Sequence, residues 1–103
     1  MLVLTKNESK AKFDLGNVVS TSGVYEMVDK DIKFHQFVAK SFKRHCNGDW
    51  GDLVEEDKMA NDFALCNGDD RLFSKYNYKD GISIYIITEW DRSYTTILFP
   101  SEY

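Results

Sequence analysis

The strongest constraint on the fold is a change of hydrophobic period near the carboxyl end of the chain. Residues 73–78, 82–88 and 95–99 are rich in β-branched and aromatic side chains, which favour strands. Lys79-Asp80-Gly81, between the first two runs, is typical of a hairpin turn. These runs therefore predict a C-terminal antiparallel β-meander.

The middle of the chain repeats its apolar residues with the period of a helix. Residues 31–46 begin with Asp31, a good N-cap because its carboxylate accepts from free backbone N–H groups. One face of this helix is predicted to carry Phe34, Phe37, Val38, Ser41, Phe42 and His45. A shorter helix over 23–28 is predicted before it, capped by Thr21 or Ser22.

A further helix is predicted over 55–66. Glu55, Glu56 and Asp57 occupy its first turn, where anions are stabilised by the helix dipole. Its expected buried stripe is Met59, Phe63 and Cys66. The tetrapeptide Cys-Asn-Gly-Asp follows both long helices, at 46–49 and 66–69. We interpret it as a repeated helix end, with Gly48 and Gly68 at positive φ, rather than as a metal-binding repeat.

These elements predict an α+β fold, in which N-terminal helices pack on the antiparallel meander. A chain of 103 residues is expected to form one domain, 1–103, in which 1–15 is peripheral. Within it, 1–5 favours an edge strand, 6–15 a loop and 16–20 a short strand. The expected core consists of Phe34, Phe37, Val38, Phe42, Phe63, Ile84, Ile86 and Leu98.

The charge is unevenly distributed along the chain. Residues 47–70 contain eight Asp or Glu and one Lys, a balance of −7, whereas the whole chain has a net charge of −4. Because phosphate contacts need a basic face, direct nucleic-acid binding is not expected. No apolar run is long enough to span a membrane, and residues 1–5 are too short for a signal peptide. We therefore expect a cytoplasmic protein with reduced thiols.

The sequence contains no recognisable catalytic or metal-binding pattern. The spacings of His35, His45, Cys46 and Cys66 fit no common zinc pattern, so no metal or other cofactor is expected. Adjacent helical residues such as His45 and Cys46 do not face each other, which disfavours a nucleophile–base pair. Pairs of acidic residues could provide the two carboxylates of a small hydrolase, but a solvated acidic surface is the simpler interpretation. We therefore assign no catalytic residue.

Two segments remain as candidate recognition sites. Trp50, within Gly48-Asp49-Trp50-Gly51-Asp52, either fills a gap between helix and sheet or is an exposed anchor for a partner. The connection between the last two strands contains Glu89, Asp91 and Arg92. Here Arg92 either pairs with an acid to fix the turn, or belongs to a polar recognition surface.

Several strings in this chain carry a resemblance to a known family. They are Gly48-Asp49-Trp50-Gly51, Glu56-Asp57 with Asn61, Arg71-Leu72, Tyr76, Ile87-Thr88-Glu89, Asp91-Arg92-Ser93, Thr95-Thr96, Leu98, Pro100 and Glu102-Tyr103. Over roughly residues 16–103, the chain resembles a small bacterial family of plasmid-related or uncharacterised proteins. Some of its members are counted among the type II-A anti-CRISPR proteins. Ser22 stands where many relatives have Pro.

The resemblance implies no enzyme activity and adds a class of partner. It suggests a non-catalytic inhibitor that binds an RNA-guided DNA nuclease of the bacterial host, or its guide complex. An acidic protein can occupy or adjoin the positively charged channel of such a nuclease. The expected contact residues are Asp49, Trp50, Asp52, Glu55, Glu56, Asp57, Glu89, Asp91 and Arg92. The alternatives are an accessory binding protein for a restriction or replication factor, and a small hydrolase.

Overall fold

A computed structural model describes the backbone of residues 2–3 and the whole of residues 11–103. Its elements, in chain order, are β1 (Leu2–Val3), β2 (Asn17–Ser20), α1 (Ser22–Lys30), α2 (Ile32–Cys46), α3 (Glu55–Asn67), β3 (Leu72–Asn77), β4 (Ser83–Thr88), β5 (Tyr94–Leu98) and a 3₁₀ turn (Pro100–Glu102). The α+β fold is confirmed. The other positions of the predicted edge strand 1–5, and residues 6–10 of the predicted loop, lie outside the described residues.

The strands form one sheet with the order β1-β2-β5-β4-β3. Strands β3, β4 and β5 are antiparallel neighbours, as the meander predicted. Strand β2 pairs in parallel with β5, placing Val18 beside Thr95 and Ser20 beside Ile97. The sheet is therefore mixed, and the long connection from β2 to β5 contains all three helices.

Side-chain caps mark the starts of α1 and α2, and glycines follow the ends of α2 and α3. Thr21 caps α1 by accepting from the Val24 N–H, and Asp31 caps α2 by accepting from the Lys33 and Phe34 N–H groups. Gly48 after α2 has φ 75°, and Gly68 after α3 has φ 66°. The repeated-end interpretation of Cys-Asn-Gly-Asp is confirmed, because both glycines lie in the left-handed region.

The main core lies between α1, α2 and one face of the sheet. Its buried members include Phe34 and Val38 from α2, Ile84 and Ile86 from β4, and Ile97 from β5. The core prediction is confirmed for Phe34, Val38, Ile84, Ile86 and Leu98, all of which are buried. Phe37 and Phe42 are half-buried and pack against this core.

The prediction for α3 was wrong about which face is buried. Phe63 is 68% exposed, Met59 is 63% exposed, and Cys66 is also exposed. The buried residues of α3 are instead Asn61 and Ala64. The small Ala64 lets the helix approach Trp50 and Leu72, and Asn61 bonds to the edge of the sheet. Polar and small residues thus attach α3 to the sheet, while its apolar stripe faces solvent.

No helix in the part of the chain that the structure describes has the length and apolar composition needed to cross a membrane.

Candidate functional site

The segment before α3 lies along the outer edge of β3. The Lys75 N–H donates to the Trp50 carbonyl at 3.2 Å, and the Asp52 N–H donates to the Lys75 carbonyl at 2.7 Å. Gly51, between them, approaches so closely that a Cβ atom would lie 2.0 Å from the Lys75 oxygen. One Asp52 carboxylate oxygen accepts the next free N–H of the edge, that of Asn77, at 2.9 Å. This segment therefore covers half of the strand edge.

Asn61 covers the start of that edge, at Phe73. Its side-chain NH₂ donates to the Phe73 carbonyl at 2.7 Å, and its side-chain oxygen accepts from the Phe73 N–H at 3.0 Å. A single amide thus reproduces the pairing that a neighbouring strand would offer. Because an open strand edge invites pairing with other chains, this cover protects the sheet. It gives Gly51, Asp52 and Asn61 a structural role.

Trp50 fills the gap between α2, α3 and the sheet. Its side chain is only 3% exposed and packs near the rings of Phe13 and His45. The indole Nε1–H donates to an Asp62 carboxylate oxygen at 2.8 Å. The burial agrees with the gap-filling interpretation of Trp50. A partner approaching this conformation would find the indole covered, so Trp50 is not available as an anchor.

Asp49 joins the end of α2 to residues 50–52, the segment that lies along the edge of β3. Its two carboxylate oxygens accept from Arg44 Nε at 2.7 Å and from Arg44 Nη2 at 3.1 Å. The hydrogen bond from Arg44 is the main reason that the pKa of Asp49 is lowered. The Asp49 carbonyl accepts from the Tyr76 hydroxyl at 2.6 Å. Asp49 is exposed but already paired, so a partner would compete with Arg44 for it.

Arg92 fixes the connection between β4 and β5. Its guanidinium Nη1 donates to the carbonyls of Asp70 at 2.7 Å and Glu89 at 3.0 Å, and Nη2 approaches the Ala64 carbonyl at 3.4 Å. The backbone of Arg92 has φ 58°. The structural alternative for Arg92 therefore fits, although its partners are carbonyls rather than the carboxylates that the sequence suggested. The same bonds hold this turn against the C-terminal end of α3.

Asp91 and Glu89 are placed differently within that turn. Asp91 is exposed, and one of its carboxylate oxygens accepts from the Ser93 N–H and hydroxyl at 3.0 and 2.6 Å. The hydroxyl bond is the main cause of the lowered pKa of Asp91. Glu89 is half-buried, and its backbone closes the turn. Of the two acids, Asp91 is thus the more accessible to a partner.

A buried chain of hydrogen bonds connects α2 with three strands. His45 is fully buried; its Nδ1 lies 2.6 Å from the Ser74 hydroxyl and its Nε2 lies 2.9 Å from the Thr88 hydroxyl. Thr88 continues to Thr95 at 2.7 Å, and Thr95 donates to the Leu15 carbonyl at 2.8 Å. Sequence reasoning missed this network, whose only signal was His45 on the apolar face of α2.

The Leu15 carbonyl ends this series of hydrogen bonds, and because a carbonyl can only accept, it fixes which atom donates in the bonds before it. Thr95 gives its proton to Leu15, so Thr88 must donate to Thr95 and accept from His45 Nε2–H. Nδ1 is then the acceptor for the Ser74 hydroxyl. Burial, and secondarily the positive charge of Arg92, lower the pKa of His45 to about 3. The imidazole is therefore neutral near pH 7. Although Ser74 and His45 resemble part of a catalytic triad, both are buried and act here as a structural link.

Among the predicted site residues, the acids of the first turn of α3 are the ones that are both exposed and unpaired within the described residues. Glu55, Glu56 and Asp57 are exposed, and within the described residues no hydrogen bond or ion pair engages their carboxylates. The other five acids of 47–70 are exposed too: Asp49, Asp52, Asp62, Asp69 and Asp70. Residues 47–70, with their charge balance of −7, thus form an acidic surface around α3.

The acidic surface adjoins a cavity at the edge of the sheet. A cavity of about 310 Å³ lies between α3 and β3, with Asp57, Asn61, Arg71 and Phe73 in its lining. The Asn61 amide there already bonds to the Phe73 backbone. Among the described residues, no group of three or more His, Cys, Asp or Glu is placed to hold a metal ion.

Comparisons of the chain with protein-family models, curated proteins and solved structures gave no match.

Proposed function

We propose that this protein is a non-catalytic inhibitor of a type II-A CRISPR RNA-guided DNA nuclease, and that it acts by binding the nuclease or its guide complex. The observation that carries the proposal is the acidic surface around α3, on which all eight acids of 47–70 are exposed. A nuclease that holds a nucleic-acid duplex does so in a positively charged channel. The resemblance of the sequence strings to a family with anti-CRISPR members supplies the identity of the partner.

The free carboxylates make this surface suited to fast association. Glu55, Glu56 and Asp57 have no intramolecular partner among the described residues, so a basic partner need not displace one. Clustered charges of one sign steer an oppositely charged partner and raise its association rate. Asp49, Asp52 and Asp91 add to the field, although each also holds local structure. We assign these three to steering rather than to specific contact.

A cleavage assay tests the proposal directly. Excess protein is added to type II-A nucleases loaded with guide RNA, before and after target DNA, and loss of cleavage is expected. Inhibition only when the protein precedes DNA would indicate that DNA loading is blocked. If cleavage is unchanged with every such nuclease tried, the proposal fails. An accessory binding protein for a restriction or replication factor would then be the better hypothesis.

Charge-neutral variants test the role of the acids. The triple variant Glu55→Gln, Glu56→Gln, Asp57→Asn should lower the association rate, and the difference from wild type should shrink as salt rises, because exposed charges are screened beyond about 8–10 Å. A matched control is Glu26→Gln with Asp29→Asn, which removes two exposed charges from α1. Equal association rates for the triple variant and wild type at low salt would exclude electrostatic steering by α3.

A further inference from the structure

The outer face of α3 carries an apolar stripe that the rest of the described chain does not cover. Met59, Phe63 and Cys66 follow the spacing i, i+4, i+7, and all three are exposed. At 100° per residue they lie within about 60° of one another around the helix axis. Asn61 and Ala64, through which the helix is attached, lie on roughly the opposite side.

This stripe differs from isolated apolar residues on a surface. Single exposed apolar side chains are common and need no explanation, whereas contiguous apolar surface marks interaction sites. Here a helix buries an amide and a methyl group and presents a phenylalanine and a methionine to solvent, at 68% and 63% exposure. The spacing matches that of helices which insert an apolar face into a groove of another protein.

The surroundings of the stripe define the charge of whatever covers it. Glu55 and Asp62 lie along one side of the stripe and Glu56 along the other, and all are exposed. Asp69 and Asp70 follow the end of the helix, and its last turn contains no basic residue. Lys58, the one cation of the helix, is half-buried and lies about 100° from Met59 around the helix axis. The surface complementary to an apolar centre with an acidic rim is an apolar groove with a basic rim.

We propose that α3 docks, with Met59 and Phe63 as anchors, into an apolar groove of a partner protein whose rim carries Lys or Arg. This goes beyond the proposed function, because it assigns specific contact to apolar side chains and leaves guidance to the acids. The α3 helix of a second copy does not fit the same surface. Since α3 is acidic at both ends, contact with its copy in either orientation would bring carboxylates together.

Two helical-hairpin peptides with the same leucine-lined groove between their helices serve as probes, one with lysines and one with glutamates on the rim of the groove. Binding is measured by calorimetry and by protection of the exposed Cys66 thiol from alkylation; Cys66 is resolved from the buried Cys46 by peptide mass. We expect the lysine peptide to bind and protect Cys66, and the glutamate peptide to do neither. Absence of binding by the lysine peptide, or equal binding of both, would overturn the proposal.

Variants identify the anchors. Met59→Ser with Phe63→Ser should weaken binding of the lysine peptide by about ten-fold or more, as expected for truncated central anchors. The control is Trp90→Ser, which removes a 64% exposed apolar side chain from the β4–β5 turn and should change the affinity by less than about two-fold. An equal loss in both variants would overturn the assignment. So would a wild-type dimer in sedimentation that the serine pair dissociates, since a second copy would then cover the stripe.

The nuclease assay separates this inference from the proposed function. If wild-type protein blocks cleavage and the Met59→Ser, Phe63→Ser variant blocks it equally well, the proposed function stands and docking through the stripe fails. If wild-type protein does not block cleavage, the peptide measurements still decide whether the stripe is a docking surface.

Discussion

The helices α2 and α3 have similar apolar spacing but opposite relations to the sheet. In α2 the stripe of Phe34, Val38 and His45 is buried against the strands, as the sequence predicted. In α3 the equivalent stripe points away from the sheet, and Asn61 and Ala64 face inward. Periodicity therefore indicates that a helix has an apolar face, but it does not indicate whether the same chain or another molecule covers that face.

The two helices differ because they contact different parts of the sheet. Helix α2 lies across the centre of the sheet, where large apolar side chains from β3, β4 and β5 form a continuous surface. Helix α3 lies at the edge formed by β3, which presents free backbone N–H and C=O groups. A polar side chain can satisfy these groups, whereas an apolar side chain cannot. An amide satisfies that edge, as the two bonds of Asn61 to Phe73 show. Edge chemistry thus determined the orientation of α3.

The largest expected contrast between the helices is in the cost of removing one phenylalanine. Phe34→Ala should destabilise the protein by about 3–5 kcal/mol, because it leaves a cavity in the main core. Phe63→Ala should change the free energy of unfolding by less than about 0.5 kcal/mol, because that ring is mostly in water. Urea denaturation of both variants measures the difference. Comparable losses would show that α3 buries its apolar stripe after all.

The second expected effect belongs to α2 and concerns the titratable group on its buried face. His45 on α2 has its pKa lowered to about 3, so it is neutral when folded and takes up a proton readily when unfolded. Its contribution to stability is therefore complete above its unfolded pKa of about 6.5 and is lost as pH falls towards 3. Between these values the loss should approach about 1.4 kcal/mol per pH unit. Carboxylates with lowered pKa values, such as Asp49, add to the loss at the acid end.

A pair of histidine variants isolates this effect. His45→Gln should lower stability at pH 7, because the network through Ser74 and Thr88 loses its geometry, but it should make the decline towards pH 4.5 shallower. His35→Gln, which changes an exposed histidine of the same helix, should retain the steep decline of wild type. Urea midpoints at several pH values provide the measurement. Parallel pH profiles for all three proteins would contradict a buried neutral His45.

Local signals predicted most of the fold, and long-range geometry accounts for what was missed. The bounds of α2 and of β2 to β5 agree with the sequence within one or two residues, because caps and hydrophobic period are local properties. The parallel pairing of β2 with β5 joins segments more than 70 residues apart and has no local signature. For the same reason the site was only partly predictable: exposure of the acids on α3 followed from composition, whereas the partners of Trp50 and Arg92 did not.

The attachment of α3 can be weakened without touching its outer stripe. Asn61→Ala should cost about 1–3 kcal/mol, because both the N–H and the carbonyl of Phe73 lose their partner. Asn61→Asp should cost at least as much as Asn61→Ala at neutral pH: it keeps an acceptor for the N–H, but it places a largely buried carboxylate oxygen against the Phe73 carbonyl oxygen. Asn67→Ala, which removes a helix-end bond on the exposed side, is the control. Equal stability of the Asn61→Ala variant and wild type would mean that α3 is held by other contacts.

The smallest expected effect tests the feature that the two helices share, their glycine ends. Gly48→Ala and Gly68→Ala should each destabilise by about 1 kcal/mol, because alanine is strained at a positive φ. Added methyl groups meet no severe clash at either site: a Cβ atom at Gly48 would lie 3.7 Å from the nearest atom, in the Trp50 ring, and a Cβ atom at Gly68 would have none within 4 Å. The cost therefore reflects backbone conformation alone, and Gly68→Asn should cost less than Gly68→Ala because asparagine tolerates this region better. Thermal or urea denaturation resolves the order glycine, asparagine, alanine. If alanine were neutral at Gly68 but costly at Gly48, the end of α3 would be free to rearrange, which is the behaviour expected of a helix whose main partner is another molecule.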